Sequence, residues 1–315
     1  MRFARLAIIA GCLACARETK DPNGLRKEPP LPEKTEAQRV AKLTGLHGPE
    51  SARYDPELDV YYVSNMAGYG SAKDNNGYII RTPADDFSKA SILVEGGRNG
   101  AMLDAPKGLA VHGDTLWVAD IDKLRGFDRR TGATLATIDL APQGAVLLND
   151  VVVGEDGKIY ITDTGIIMSD KGVLHPGGDK IFAIGPSGVS ILAQGNQLGR
   201  PNGITWDKKN HRLLVASFDP FDSQVYAIKP GSNDRVVLAR GKGKFDGLEF
   251  LPDGRWIVAS WNDSSVLALD GKNFRRLTSE VWMPADIGVD TRRNRIAIPS
   301  TVMERVELWQ LPRGN

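Results

Sequence analysis

The sequence predicts an all-β fold: a six-bladed β-propeller of four-stranded antiparallel blades whose ring is closed by an N-terminal strand. Three observations carry this expectation. A short phrase recurs in variation, as Pro106-Lys107-Gly108-Leu109, Asn149-Asp150-Val151, Pro201-Asn202-Gly203-Ile204, Asp246-Gly247-Leu248 and Pro284-Ala285-Asp286-Ile287, and Glu50 holds the matching first position of an earlier copy. Each phrase opens a pair of β-rich runs in one register. Residues 203–207 and 212–217 flank a turn at Lys208 to His211, and residues 247–251 and 255–260 flank Pro252-Asp253-Gly254 in the same way. The units recur at roughly 40 to 55 residues, and no long run has helical periodicity.

From the N-terminus, residues 1–16 read as an export signal. Met1-Arg2-Phe3-Ala4-Arg5 is a short basic stretch, and Leu6-Ala7-Ile8-Ile9-Ala10 is apolar but too short to span a bilayer. Ile9-Ala10-Gly11-Cys12 resembles the bacterial lipobox, which would lipidate Cys12 and anchor the protein to a membrane of the cell envelope, facing the periplasm or the outside. Ala14-Cys15-Ala16 offers an ordinary cleavage site instead. Both cysteines lie in this stretch, so no disulfide staples the folded part. Residues 17–38 contain Lys20-Asp21-Pro22-Asn23-Gly24, Pro29-Pro30-Leu31-Pro32 and many charges. They lack the apolar side chains that would offset the entropy of ordering, so a flexible tether is expected.

Residues 39–312 then hold the propeller. Blade-opening hairpins are expected at 51–65, 108–120, 150–163, 203–217, 247–260 and 286–300, followed by third strands such as 180–184 and 224–228 and weaker fourth strands such as 235–239. The last unit has little chain left for an outer strand, and Val40-Ala41-Lys42-Leu43 is expected to supply it. Alternation of strand direction puts the turns at Gly113-Asp114, Asp156-Gly157, Lys208 to Asn210 and Asp253-Gly254 on one face, here the bottom. The phrases and the returns between second and third strands lie at the top. Two returns are long, 66–76 and 165–178, and are candidate lids.

Composition narrows the functions. With 315 residues, 41% of them hydrophobic, the chain can bury a large core, and 40 basic against 39 acidic residues leave a formal charge of +1. No electrostatic footprint for nucleic acid is present.

Because equivalent openings face one axis, the side chains of Glu50, Lys107, Asn149, Asn202, Asp246 and Ala285 should converge. Glu50, Asn149, Asn202 and Asp246 are candidate metal ligands: two carboxylates and two neutral amide oxygens balance a hard divalent cation, calcium being the foremost expectation. The lack of cysteine, and of histidine at any first position, argues against zinc or copper. Any one of the four taken alone is better read as a turn residue bonding its own backbone than as a ligand, so the argument rests on the set. Lys107 is read as an ion-pair partner or a contact to substrate, with Asn149 a second substrate contact. His47 and His175 lie near or in top loops from which either could reach a substrate, His175 being the expected substrate contact, and an imidazole has a pKa suited to proton transfer, whereas His112 and His211 fall at bottom turns. Trp117, Trp206, Trp256 and Phe250 recur at equivalent strand positions as core. Trp261 and Phe218, just after second strands, are candidates to contact an apolar ligand.

These residues resemble the senescence marker protein, gluconolactonase and regucalcin-like family of six-bladed propellers, with paraoxonases as distant relatives, over about residues 46–311. In that family a blade-one Glu, a blade-three Asn before Asp, a blade-four Asn before Gly and a blade-five Asp before Gly surround a catalytic divalent metal. By position these resemble Glu50, Asn149, Asn202 and Asp246. The resemblance implies metal-dependent hydrolysis of a small lactone or related ester, with Asp246 as ligand and proton acceptor. The chain departs from the family pattern at Leu147, where sugar-lactone members carry Arg, at Val151, and at Ser51-Ala52 in place of Gly-Pro, which suggests a more apolar or different substrate. The alternative is a non-catalytic propeller that binds a ligand or protein at the envelope and keeps the ion for structure.

Overall fold

The computed structural model describes residues 37–232, 234–270, 273–278 and 280–312. The expected export signal, Cys12 and residues 17–36 of the expected tether lie outside them. Among the described residues the strands form six four-stranded antiparallel sheets and one two-stranded ribbon. Each four-stranded sheet is a blade. Blade 1 runs Pro49–Asp55, Val60–Asn65, Tyr78–Pro83 and Ser91–Glu95, and blade 2 runs Pro106–His112, Thr115–Asp120, Lys123–Asp128 and Thr134–Asp139. Blade 3 is Leu148–Val153, Ile159–Asp163, Lys180–Gly185 and Gly188–Gln194, and blade 4 is Pro201–Asp207, Arg212–Ser217, Ser223–Ile228 and Arg235–Gly241. Blade 5 is Phe245–Phe250, Trp256–Ser260, Ser265–Asp270 and Asn273–Arg276.

Blade 6 joins the two ends of the propeller. Gly288–Asp290, Arg295–Ser300 and Arg305–Gln310 take Gln38–Thr44 as their outermost strand, with Leu43 opposite Val306 and Lys42 opposite Glu307. The closing strand therefore starts slightly before residue 39, and Ala37 ahead of it is buried against blade 5. Closure in this way gives the last blade its fourth strand and covers the outer side of Arg305–Gln310.

The core is divided among the junctions between blades. Among the described residues, six apolar clusters each bridge one pair of neighbouring blades, for example Ile161 and Phe182 with Leu124 and Leu140, or Phe245 and Leu248 with Leu214 and Val225. Trp206 is buried in one of these clusters, and Trp117, Trp256 and Phe250 pack against others, as their strand positions predict.

What positions the site is an irregularity repeated at the top of the inner strands. The ladder to the second strand slips at Pro49/Ser51, Pro106/Leu109, Leu148/Val151, Pro201/Ile204 and Phe245/Leu248. A bulge of this kind re-aims the side chains inside it, and inside it lies the first position of the recurrent phrase, joined in all but the Pro49/Ser51 case by the residue after it. The glycines that follow serve close approach: a Cβ on Gly203 would lie 2.3 Å from the Asp246 carbonyl oxygen, and one on Gly247 would lie 2.6 Å from Cα of Asp286. Inner strands of adjacent blades thus nearly touch around the axis.

The two long returns are not both featureless. The second contains the ribbon Ile167–Ser169 and Gly172–Leu174, which alternation alone did not flag because each strand has three residues.

Candidate functional site

Glu50, Lys107, Asn149, Asn202 and Asp246 line one cavity at the top of the axis, together with Met66, Ile166, Met168, Phe218, Trp261 and Thr301. Five first positions of the phrase therefore meet. The space between them is about 40 Å³, room for a few water molecules.

The wall has a second ring. Met66, Phe218, Trp261 and Thr301 each directly follow a second strand, those ending at Asn65, Ser217, Ser260 and Ser300. Thus the floor comes from inner-strand bulges and the sides from second-strand exits, both on rigid elements. The sequence pointed to Phe218 and Trp261. Met66, Ile166, Met168 and Thr301 were missed, although for Met66 and Thr301 the same offset from the second strand was available as a signal.

The hydrogen bonding of the four candidate ligands is incomplete in one consistent way. Glu50 Oε2, Asn149 Oδ1, Asn202 Oδ1 and Asp246 Oδ1 are buried and have no hydrogen-bond partner. The Asn149 amide is oriented by its other end: Nδ2 donates to Thr164 Oγ1 at 3.0 Å, and that hydroxyl donates to the Pro201 carbonyl at 2.9 Å. With Nδ2 committed, the carbonyl oxygen is turned into the cavity. Buried oxygens without donors are costly in a folded protein, and four in one cavity make a set that a cation would satisfy. Among the described residues no group of three or more His, Cys, Asp and Glu is placed to hold a metal; the set here is two carboxylates and two amides, the oxygen-only chemistry of a hard cation.

Charge in the cavity is out of balance without such an ion. Burial pushes the Glu50 carboxyl well up, and repulsion from Asp246 adds to this, while Lys107 opposes it. Burial likewise raises Asp246, with Asp286 adding to it; the Trp261 indole N–H and the Gly247 N–H draw it down. The Trp261 N–H nonetheless makes no hydrogen bond of normal geometry. Lys107 is pushed down to about 8 by burial, against the pull of Glu50 and Asp120. Its ammonium donates to the Gly70 carbonyl at 2.7 Å and to that of Ala105 at 2.9 Å, so it ties the first long loop to the ring.

The two long loops also hold each other. Ser71 N donates to the Met168 carbonyl at 3.3 Å, and Met168 N donates to Ser71 Oγ at 2.9 Å. Both candidate lids also reach the cavity wall, through Met66 of the first and Ile166 and Met168 of the second. His175 is placed differently from the other expected substrate contacts: its Nε2 lies 2.6 Å from Asp179 Oδ1 at the base of the second loop, and it is not part of the cavity wall. His47 is exposed, near Glu304, and His112 and His211 are exposed at bottom turns.

Below this ring lies a second layer that the sequence reading did not assemble. Arg53 pairs with Glu249 and, at 3.3 Å, with Asp286, and its guanidinium is 3.9 Å from Asp150. Ser51 Oγ donates to Asp286 at 2.5 Å, and Asp150 accepts the N–H groups of Val151 and Ile204 at 2.7 and 2.8 Å. Asp150 and Asp286 thus belong to a buried ion cluster plugging the axis.

Known proteins of similar sequence and shape narrow the family. Residues 49–289 match the family model described as SMP-30/Gluconolactonase/LRE-like region. No curated protein gives a significant sequence match. Among solved structures, the chain is similar to a gluconolactonase from Xanthomonas campestris, with a TM-score of 0.64 and 16% identity over 90% of this chain and 98% of that one. It is also similar to a luciferin-regenerating enzyme, with a TM-score of 0.63 and 12% identity over 89% and 94% of the two chains. A third is the PQQ-bound aldose sugar dehydrogenase of Streptomyces coelicolor, with a TM-score of 0.64 and 17% identity over 89% and 99%. At these identities the likeness is one of fold, and the last example has a different chemistry on a similar scaffold.

Proposed function

The chain belongs to the SMP-30/gluconolactonase/LRE-like family, and from that premise we propose that it hydrolyses lactones or related esters with a divalent cation, calcium foremost, held by Glu50, Asn149, Asn202 and Asp246. The observation that carries the reading is the four unpartnered buried oxygens in one cavity. When bound, the cation would supply Lewis acidity for a carbonyl and stabilise the negative charge that develops on its oxygen.

The chain's own residues do the rest. Asp246, raised by burial and with Oδ1 free of any donor, accepts a proton from the attacking water. Water adds to the carbonyl carbon, the ring C–O bond breaks, and the released alkoxide takes up a proton to give the hydroxy acid. Lys107 offsets the negative charge of the ring and, through Gly70, holds the first loop down so that bulk water is excluded. The two loops that meet through Ser71 and Met168 border the cavity, and their parting would widen it for substrate.

The test is a lactone panel assayed with and without chelator, on the wild type and on Asp246→Asn. Turnover abolished by chelator, restored by calcium and reduced at least 100-fold in the variant is expected. Turnover indifferent to both treatments overturns the reading. If chelation lowers the Tm but no lactone is hydrolysed, the ion is structural and the propeller is a binding module. From Ile9-Ala10-Gly11-Cys12 we further propose that a lipid on Cys12 holds the domain at the bacterial envelope; mass spectrometry of the mature N-terminus checks this, and an unacylated terminus overturns it.

A further inference from the structure

Resting on the cation reading, we infer that Thr164 and Thr301 are positioning residues for the ring, each holding a ligand-bearing segment in place for the ion. The two occupy one position of the repeat. The residue directly after the second strand is Met66, Ile121, Thr164, Phe218, Trp261 and Thr301 in blades 1 to 6. Blades 3 and 6 place a hydroxyl there, and both hydroxyls make the same contact. Thr164 Oγ1 donates to the Pro201 carbonyl at 2.9 Å, and Thr301 Oγ1 donates to the Pro49 carbonyl at 3.0 Å. Each of those prolines directly precedes a candidate ligand of the next blade, Asn202 in one case and Glu50 in the other.

A peptide unit is planar, so a hydrogen bond to the Pro201 carbonyl also constrains the nitrogen and Cα of Asn202. The other side of Asn202 is pinned from the same strand: Thr162 Oγ1 donates to the Asn202 carbonyl and accepts the Asp150 N–H at 3.0 Å. Hydroxyls of blade 3 thus hold Asn202 on both sides. Thr164 has a second task. A carbonyl can only accept, so the hydroxyl proton goes to Pro201 and only lone pairs face Asn149. The Asn149 amide must therefore turn Nδ2 to Thr164, at 3.0 Å, which leaves Oδ1, buried and unpartnered, for the cavity. Thr164 is fully buried, so solvent does not compete for either bond. Without that hydroxyl the amide loses the contact that tells its two ends apart, and a flipped amide would turn N–H groups toward a cation. Thr164 accordingly serves two ligands, and Thr301 serves one.

The experiment titrates calcium into the chelator-stripped full chain by calorimetry, with Tm and circular dichroism read alongside. Thr164→Val, close in shape but without the hydroxyl, is expected to weaken calcium binding about 10- to 100-fold, and Thr164→Ser to bring it back to within about twofold of the wild type. Thr301→Val, which frees a peptide unit and not a ligand side chain, is expected to lose about three- to tenfold. Thr278→Val is the comparison: it removes a buried hydroxyl that accepts the Val266 N–H at 3.0 Å in blade 5, and it should lower the Tm with calcium affinity unchanged. In an Asn149→Asp background, where either end of the side chain is an oxygen, Thr164→Val should cost about threefold or less. Wild-type affinity in either valine variant overturns the role of that residue and leaves the cation site standing. An equal loss from Thr164→Val in the Asn149→Asp background overturns the orienting of the amide. A wild type that binds no calcium overturns the cation reading and this inference with it. If Thr164→Val does not fold, Thr301→Val decides, with loss of affinity supporting the inference and wild-type affinity overturning it.

Discussion

The two layers of the central channel use the same residue types to opposite ends. In the lower layer each carboxylate has protein partners: Asp286 has Arg53 and Ser51, Glu249 has Arg53, and Asp150 has two backbone N–H groups. One oxygen of Asp286 is left over. In the upper layer Glu50 and Asp246 have Lys107 nearby, but its ammonium is committed to carbonyls, and all four candidate ligands keep an unpartnered oxygen. The lower layer pairs its carboxylates with a guanidinium, a hydroxyl and backbone N–H groups, whereas the upper one gathers four unpartnered oxygens in one cavity. A buried ion cluster and a binding site are therefore distinguished by which atoms remain unpaired.

Substitution should separate the two layers sharply. Arg53→Met leaves three carboxylates without their shared cation, and a loss of about 3–5 kcal/mol is expected, read by urea unfolding in the presence of chelator. Glu50→Gln under the same conditions removes a buried charge whose nearby cation, Lys107, is hydrogen-bonded to backbone carbonyls and not to it, and its unfolding midpoint should be equal to or above that of the wild type. A large loss in Glu50→Gln would mean that the upper ring is also complete in itself.

Next in size is the cation. Calcium at about 100 times its Kd should stabilise the wild type by about 2.7 kcal/mol, seen as a rise in Tm, with no rise in Glu50→Gln. Gly247→Ala tests the close approach of blades that makes the ring: its Cβ would meet the Asp286 backbone, and about 1–3 kcal/mol should be lost.

The smallest effect lies on the bottom face, between blades 6 and 1. Hydrogen bonds from Arg293 hold the Asp59 carboxyl down to about 2. A depressed carboxylate stabilises the fold above its unfolded pKa and loses that contribution as pH falls through the folded value. Arg293→Gln should therefore cost well under about 1 kcal/mol at pH 7, since the pair is partly exposed, and the difference from wild type should fade between about pH 4 and pH 2. A difference that persists at pH 2 would show that Arg293 acts by packing.

What could be read from the sequence follows the range of the interactions concerned. Blade count, closure by residues near Val40 and the meeting of Glu50, Asn149, Asn202 and Asp246 were legible because a repeat fixes equivalent positions without any knowledge of contacts. The Arg53 cluster was not, although it too uses equivalent positions, Asp150 and Asp286 one place and Arg53 and Glu249 three places after the first position of their phrases: a repeat does not say which of these side chains pair across the axis. Loops escaped for the same reason: periodicity does not say that Ser71 will meet Met168, or that His175 will settle on Asp179.

The most direct test of the upper ring is its metal content. The propeller, dialysed against calcium and analysed by plasma emission, is expected to retain one ion per chain, and Glu50→Gln and Asn202→Ala, each folded by circular dichroism, are expected to retain none. Full retention in both variants, or none in the wild type, would contradict a cation site built from these four oxygens.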